Sequence, residues 1–398
     1  MQVGRFLHKF IFNALPKVHQ TRRNALICSV ASLLDQGKLT LTSLGRNMAG
    51  NALVKHKIKR VDRLLGNDKL LVDRFYIYKQ LANNILKNLT EAVIIVDWSG
   101  CCSQQRWILQ ASLAMSGRSI PIYKEVHPLA VISNPKVEQN FLEKLYDIIP
   151  KHIEVIVVTD AGFRTPWFKA VRSLGWHFVG RLRSKIQFSF DGQIWHKTTS
   201  FNGEIPNTPA LLGYATLGKT SKSMQASIYA YQGAYKGRKK KRRKYYNDGH
   251  PDKNIKYGRA NNEPWILATS LPSDIKLARR IINIYHSRMQ IEQNFRDVKN
   301  QRWGFGLRDS KTENIQRLEV LLLIAFIATL ILWLIAIDAE SKGLHYGFQA
   351  NTKRDRRTLS LFSLGWQILK HGLRRGMDIG DIKIAYGQLE PCHRRMIG

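Results

Sequence analysis

Residues 273–300 decide the fold, and they read SDIKLARRIINIYHSRMQIEQNFRDVKN. Apolar residues recur in this stretch at roughly helical spacing, and no Pro or Gly interrupts it. Ser273 is a plausible N-cap, and Asp274 suits the positive end of a helix. The pattern therefore predicts one amphipathic helix.

Four residues of that helix fall on a single stripe. Tyr285, Arg288, Glu292 and Lys299 are offset by 3, 7 and 14 positions. At ~100° per residue these offsets span about a sixth of the circumference. A phenol, a guanidinium, a carboxylate and an ammonium on one stripe suit a surface that holds a metal ion and phosphates. A solvated face with intrahelical ion pairs is the alternative.

The composition points to a polyanionic partner. The 398-residue chain has 63 Lys plus Arg against 29 Asp plus Glu, a formal charge of +34. So large an excess favours nucleic acid, because neutralising phosphates supplies most non-specific affinity. An anionic membrane surface ranks second.

Two further features bear on where the protein works. Residues 320–337 are 18 positions without a charge, which just reaches the length of a membrane span. A buried core helix has the same apolar pattern, and we prefer that interpretation because the sequence shows a single such run. The four cysteines have no zinc spacing, and MQVGRFLHKF lacks a signal-peptide apolar core. We therefore expect a cytoplasmic protein with no membrane partner.

Residues 1–90 are predicted to form a helical DNA-binding domain. A short helix over 39–48, a turn and a basic helix over 53–65 resemble a helix-turn-helix reader. Val54, Ile58, Val61 and Leu65 are expected to face inward. A solvated basic face on a small bundle is an equally good interpretation. The candidate DNA-binding residues of the basic helix are Lys55, Lys57, Lys59 and Arg60.

From residue 91 the periodicity changes to that of an α/β domain. Strands are predicted over 92–96, 105–114 and 119–127, followed by a helix over 137–149 and a strand over 153–159. A helix over 166–174 and a strand over 176–182 complete a ribonuclease-H-like layer order. The predicted catalytic core comprises residues 91–182 and 263–340.

Two aspartates follow very apolar strand patterns. Asp97 and Asp160 are each expected to end a strand and open a turn. Functional sites of α/β sheets lie at these carboxyl ends of the strands. Either one alone is better explained as a helix cap, but two together with Glu292 exceed what capping needs. Three carboxylates without His or Cys are ligands for Mg²⁺ or Mn²⁺, and can hold a pair of ions ~3.5–4 Å apart beside a phosphodiester.

Residues 183–262 are predicted to be an inserted β-rich subdomain, because short alternating runs are separated by Gly, Asn, Pro and Ser. Within it, residues 236–244 carry eight basic side chains and precede two tyrosines, which suits a loop that grips backbone phosphate. Arg181, Arg183 and Lys185 alternate and would present their charges on one strand face. Residues 341–398 are predicted to be a helical C-terminal region.

Three motifs resemble those of a known family. They are VDWS around Asp97, VTDAGF around Asp160, and the pattern Tyr285-x2-Arg288-x3-Glu292-x6-Lys299. The chain resembles the DDE transposases of bacterial insertion sequences, of the insertion-sequence-four (IS-four) group with its YREK signature, close to the Tn-ten (IS-ten) branch. The segments EPWILAT at 263–269 and LLG at 64–66 also resemble segments of that family.

The resemblance implies a ribonuclease-H-like core in which Asp97, Asp160 and Glu292 are the metal-binding catalytic triad. It implies cut-and-paste transposition by a homodimer that binds terminal inverted repeats and target DNA. Nicking, hairpin formation, hydrolysis and strand transfer would follow. Tyr285, Arg288 and Lys299 would grip phosphates near a flipped base.

Trp265 lies where such enzymes stack that base, and a strand-end core aromatic is its alternative role. For the whole chain, the competing hypothesis is a non-catalytic basic DNA-binding regulator, which has no use for three convergent carboxylates.

Overall fold

The computed structural model describes residues 2–36, 38–183, 186–201, 205–219, 223–233, 263–353, 355–372, 382–390 and 393. It contains two compact units. The first comprises residues 1–155 and 287–398, and the second comprises residues 156–286. Lys185 and the basic segment 236–244 lie outside the described residues.

The described residues that precede the first strand are mostly helical. Their helices are α1 (Gln2–Ala14), α2 (Gln20–Gln36), α3 (Leu41–Arg46), α4 (Val54–Leu65) and α5 (Asp68–Leu86). Thr40 caps α3, because its side chain accepts a hydrogen bond from the backbone N–H of Ser43. Gly45 permits the close approach of α3 to α4, since an added Cβ would lie 2.5 Å from the Cα of Ile58.

The inward stripe predicted for α4 is partly wrong. Val61 and Leu65 are buried, but Val54 is 49% exposed and Leu64 takes a buried position instead. Val54 is the first residue of α4, whereas the buried residues lie in its second half. Of the four basic residues, Lys55, Lys59 and Arg60 are exposed and Lys57 is half-buried.

Three antiparallel strands follow in the first unit. They are β1 (Glu91–Gly100), β2 (Arg106–Leu113) and β3 (Ile120–Pro128), in the order β3-β2-β1. The meander agrees with the prediction, but the end of the first strand does not. β1 continues through Asp97 to Gly100, because Asp97 pairs with Gln110 and Gly100 pairs with Trp107. Helix α6 (Pro135–Ile148) follows.

The second unit contains a mixed sheet in the order β4-β5-β9-β8-β7-β6. β4 and β5 are parallel, whereas the other described pairs are antiparallel. The sheet also includes the strands of the predicted insertion. Its elements are β4 (Glu154–Thr159), α7 (Thr165–Ser173), β5 (His177–Arg181), β6 (Phe188–Ser189), β7 (Ala210–Leu217), β8 (Met224–Tyr231), β9 (Trp265–Thr269) and α8 (Ala278–His286).

The single helix predicted over 273–300 is wrong. Helical structure ends with α8 at His286 and resumes in α9 (Met289–Lys299), so the Tyr285 to Lys299 stripe spans two helices. The break is a tight turn, in which Gln290 and Ile291 donate to the carbonyls three residues earlier. Asp274, and not Ser273, caps the 3₁₀ turn that precedes α8.

The apolar run forms the central helix of the first unit. Helix α10 (Ile315–Ser341) is the one described helix with the length and hydropathy of a membrane span, and its apolar window is 100% buried. Asn314 caps it by accepting from the backbone N–H of Arg317. It packs against α2, β3 and the C-terminal helix α11 (Leu361–Gln367), and α12 (Ile382–Gly387) also contacts it.

Replacement of Gly365 by Ala should destabilise this core. An added Cβ would lie 2.1 Å from the backbone carbonyl oxygen of Leu332 in α10, so α11 would have to move away. Overpacking of this kind costs about 1–3 kcal/mol. Thermal unfolding should show a lower midpoint for Gly365→Ala. The matched control is Gly347→Ala, where an added Cβ meets nothing within 4 Å; equal midpoints for the two variants would contradict the packing.

Candidate active site

Asp97 stands in a row of polar side chains across the three-stranded sheet. The strand register places Asp97 opposite Gln110, and Gln110 opposite Lys124. Directly paired residues point to the same face, so the row lies on one face of the sheet. Gln110 and Lys124 are buried, and Asp97 is 9% exposed. This polar face is where α9 packs.

Three polar residues hold helix α9 to Gln110 on that face and to the loop between β2 and β3. Gln290 both accepts from the N–H of Met115, at 3.0 Å, and donates to its carbonyl oxygen, at 2.7 Å. Asn294 donates to the carbonyl oxygen of Ser119, at 2.6 Å, and accepts from Gln110, at 3.2 Å. Asp297 pairs with Arg118. We call Gln290, Asn294 and Asp297 the amide clamp, and it fixes the rotation of α9 about its axis.

Arg288 joins two of the three predicted catalytic carboxylates. One guanidinium nitrogen, Nη1, lies 3.6 Å from Oδ2 of Asp97, and the other, Nη2, donates to Oε1 of Glu292 at 2.9 Å. Only 15% of the Arg288 side chain is exposed, against 43% for Glu292. Two negative groups thus converge on one cation in a partly buried place, where charge pairs are stronger than at the surface.

Lys299 lies beside the end of the same strand. Its Nζ donates to Oγ of Ser99 at 2.6 Å, and the residue is only 7% exposed. Burial lowers the pKa of Lys299 to about 8, although the neighbouring Cys101 opposes the shift. Burial likewise lowers the pKa of Lys124 to about 7, and the charge of Lys299 adds to that shift. The face around Asp97 therefore carries two amines whose pKa values are lowered by burial.

The second unit holds Asp160, immediately after β4 as predicted. Its Oδ1 accepts from the N–H of Gly162 at 2.8 Å, which forms the turn that follows the strand. Two predicted DNA-binding residues of this unit share one acidic partner. Arg181 lies 3.3 Å and Arg183 2.6 Å from Oε2 of Glu263. The strand β5 ends at Arg181, so the predicted alternation along one strand face is wrong.

Trp265 and Tyr285 form an edge-to-face aromatic pair in the second unit. Their ring centroids are 4.9 Å apart at 75°, and His286 and Tyr231 also contact the indole ring of Trp265. Trp265 is half-buried, whereas Tyr285 is only 4% exposed. Trp265 is the first residue of β9. The indole ring is thus packed by aromatic neighbours and keeps part of its surface exposed.

The donor set fits a hard divalent cation. Asp97 and Glu292 supply carboxylate oxygens that already converge on a positive group, and Mg²⁺ and Mn²⁺ prefer such ligands. Within the described residues, no group of three or more His, Cys, Asp or Glu side chains is arranged to hold an ion. The participation of Asp160 with the other two remains a prediction.

The sequence pattern missed the residues that hold α9 in place. Gln290, Asn294 and Asp297 recur at positions i, i+4 and i+7, which is the signal of one helix face. Gln110, within an apolar strand pattern, was the second signal. Polar residues at buried positions need partners, so these two signals together predict a contact.

A mixed α/β architecture with carboxylates on a sheet and on a helix is consistent with a ribonuclease-H-like DDE domain. The sequence model of the transposase DDE domain matches residues 131–331, just over half of the chain. The chain therefore belongs to the transposase DDE domain family, whose substrate is DNA. Asp160 and Glu292 lie within the matched span, and Asp97 precedes it. No protein of curated function matches the chain.

Replacement of Asn294 by Leu should loosen the site. The variant leaves the carbonyl oxygen of Ser119 and the amide of Gln110 without their partner in a buried place, at a cost of about 1–3 kcal/mol. Thermal unfolding should show this loss. Gln293→Leu on the same helix is the control, because the Gln293 side chain accepts a hydrogen bond from exposed Arg296 rather than from the sheet. A control as unstable as Asn294→Leu would contradict the clamp.

Proposed function

We propose that this chain is a cut-and-paste DNA transposase of the IS-four group, close to its Tn-ten branch. In this proposal Asp97, Asp160 and Glu292 form the catalytic triad and hold Mg²⁺ or Mn²⁺. The observation that carries the proposal is the convergence of the Asp97 and Glu292 carboxylates on one guanidinium. Carboxylates repel the phosphates of DNA unless a cation lies between them, so a non-catalytic binder gains nothing from this arrangement.

The metal, when bound, supplies positive charge that activates the attacking oxygen and stabilises the leaving oxygen of a phosphodiester. The rest of the reaction needs positioning, which the chain's own residues supply. β1 presents Asp97, and α9 presents Glu292 with its rotation fixed by the amide clamp. Since Arg288 is shared by two carboxylates, it can exchange one of them for a phosphate oxygen. Lys299, held by Ser99, offers a second cation on the same face.

The aromatic pair in the second unit supports a role in handling a flipped base. Extruding a base costs a few kcal/mol, and stacking on an aromatic face offsets that cost. Trp265 is half-buried and packs against Tyr285, so the indole is held in one orientation. Arg181 and Arg183 would bind neighbouring phosphates, where the charge of Glu263 moderates their attraction.

The remaining parts of the proposal concern the substrate and assembly. The exposed basic residues of α4 (Lys55, Lys59 and Arg60, with half-buried Lys57) would contact the terminal inverted repeats. The reaction would proceed by nicking, hairpin formation, hydrolysis and transfer into target DNA. A homodimer would hold the two ends, and the reaction would take place in the cytoplasm, on the nucleoid.

Conservative removal of each carboxylate tests the triad. Asp97→Asn, Asp160→Asn and Glu292→Gln should each abolish Mg²⁺-dependent cleavage of the element's ends, because each removes a ligand charge while preserving shape. Binding of the ends, measured by gel shift in Ca²⁺, should persist. The control is Glu143→Gln on α6, whose exposed carboxylate accepts a hydrogen bond from Gln139 one turn earlier. Ordinary cleavage by any of the three triad variants would end the assignment.

A second variant tests whether the guanidinium and the metal use the same carboxylates. Arg288→Gln removes a positive charge that lies against both Asp97 and Glu292. The affinity for Mn²⁺ in the absence of DNA should therefore rise by about tenfold, since a partly buried ion pair is worth one to a few kcal/mol. Electron paramagnetic resonance of free Mn²⁺ measures this directly.

Two controls accompany that measurement. Arg288→Lys keeps the charge and should leave the Mn²⁺ affinity close to that of the wild type. Lys342→Gln removes a cation that pairs with Asp338 instead, and should also leave the Mn²⁺ affinity unchanged. If Arg288→Gln bound Mn²⁺ no more tightly than these controls, the shared site would be refuted.

A further inference from the structure

Two adjacent thiols lie at the end of the strand that carries Asp97. Cys101 and Cys102 follow Gly100, the last residue of β1. In an extended chain, neighbouring side chains point to opposite faces. Here the chain leaves the strand, and the two Sγ atoms lie only 3.6 Å apart. Both residues are partly exposed, so a small solute can reach them.

The sulfur separation matches a chelate better than a disulfide. Two sulfurs bonded to one atom at ~2.3 Å are ~3.3–3.8 Å apart for bond angles between a right angle and the tetrahedral value. A disulfide normally joins Cα atoms at least ~4.4 Å apart, whereas neighbouring residues are held at ~3.8 Å. A third atom bonded to both sulfurs can therefore bridge the pair with little movement of the chain, whereas a direct sulfur–sulfur bond cannot.

The surroundings prepare the pair for such a ligand. Cys102 also donates to the carbonyl oxygen of Thr312, at 3.6 Å, which orients its sulfur. The hydrogen bond from Cys101 lowers the pKa of Cys102 to about 7, and the same bond, with burial, raises the pKa of Cys101. The pKa of Cys102 therefore lies close to neutral pH, and the thiolate is the ligating form.

The number of donors decides the class of ligand. Within the described residues no His, Asp or Glu joins the two sulfurs to make a three-donor metal group, so a four-coordinate zinc site does not fit. Soft ions that are satisfied by two sulfurs do fit. We propose that Cys101 and Cys102 form a chelating site for a thiophilic metalloid in the form of a trivalent organoarsenical.

The bonds made and broken balance without any oxidant. An arsenical with two hydroxyl groups on arsenic takes both sulfurs; two As–O bonds and two S–H bonds break, two As–S bonds form, and two waters leave. Arsenic remains trivalent, and neither sulfur is oxidised. The protein needs only its two thiols.

Occupation of this site blocks the neighbouring Lys299. Cys101 and Cys102 both act electrostatically on Lys299, and Ser99, which holds its Nζ, stands two residues before Cys101. A phenylarsenic group at the pair therefore lies beside the ammonium. This consequence rests on the proposed function, in which Lys299 binds phosphate, whereas the chelation itself does not.

Phenylarsine oxide is the probe, and intact-protein mass is the first measurement. The other thiols of the chain are Cys28 and Cys392, so a background with Cys28→Ser and Cys392→Ser isolates the pair. This background should retain one phenylarsenic group after washing with an excess of a monothiol. Cys101→Ser and Cys102→Ser, each added to it, should weaken retention by about 10²-fold or more, because the second bond forms within the molecule. The proposed site is overturned if either serine variant retains the phenylarsenic group, or if the background protein loses it on washing.

Cleavage of DNA ends is the second measurement, with each protein compared to its own untreated activity. Phenylarsine oxide should inhibit cleavage by the background protein, and ethanedithiol should restore that cleavage. Cleavage by the Cys102→Ser variant should not change on treatment. Full cleavage by a fully loaded background overturns the link to Lys299. An untreated protein without cleavage counts against the proposed function alone, because the mass measurement still decides the chelating site.

Discussion

The arrangement of the first unit depends on the electrostatic constraint that two carboxylates placed together require a cation. Asp97 on β1 and Glu292 on α9 meet that requirement through Arg288, which contacts both. The three groups come from a strand and from the start of a helix nearly two hundred residues later. Since their separation in sequence is large, the ion pair is possible only if the sheet and the helix are held in a fixed relation.

That relation comes from polar contacts rather than from apolar packing alone. The amide clamp binds α9 to the loop between β2 and β3 and to Gln110, and its members lie on the side of the helix away from Glu292. Buried amides bind only partners of the right geometry, so they set the rotation of the helix more strictly than apolar side chains do. Behind this layer, helix α10, whose apolar window is fully buried, supports β3, α2 and α11.

The sequence predicted the elements of this arrangement better than their ends. Apolar runs located the strands and the buried helix α10, because burial on both faces leaves a strong pattern. The break between α8 and α9 was missed, since neither Pro nor Gly marks it and a tightened turn forms from ordinary residues. The extension of β1 through Asp97 was missed because cross-strand pairing decides where a strand stops. The pairing of Arg288 with carboxylates was not predicted either, since helical spacing indicates which residues share a face but not what that face meets.

Iron-mediated cleavage of the protein backbone tests the central claim most directly. Fe²⁺ takes the oxygen ligands of Mg²⁺, and with ascorbate and peroxide it produces radicals that cut the chain beside the bound metal. The account predicts cuts in three segments, around Asp97, Asp160 and Glu292, all suppressed by excess Mg²⁺. Cuts near Asp97 and Glu292 without any near Asp160, or cuts that Mg²⁺ does not suppress, would contradict a metal site shared by the three carboxylates.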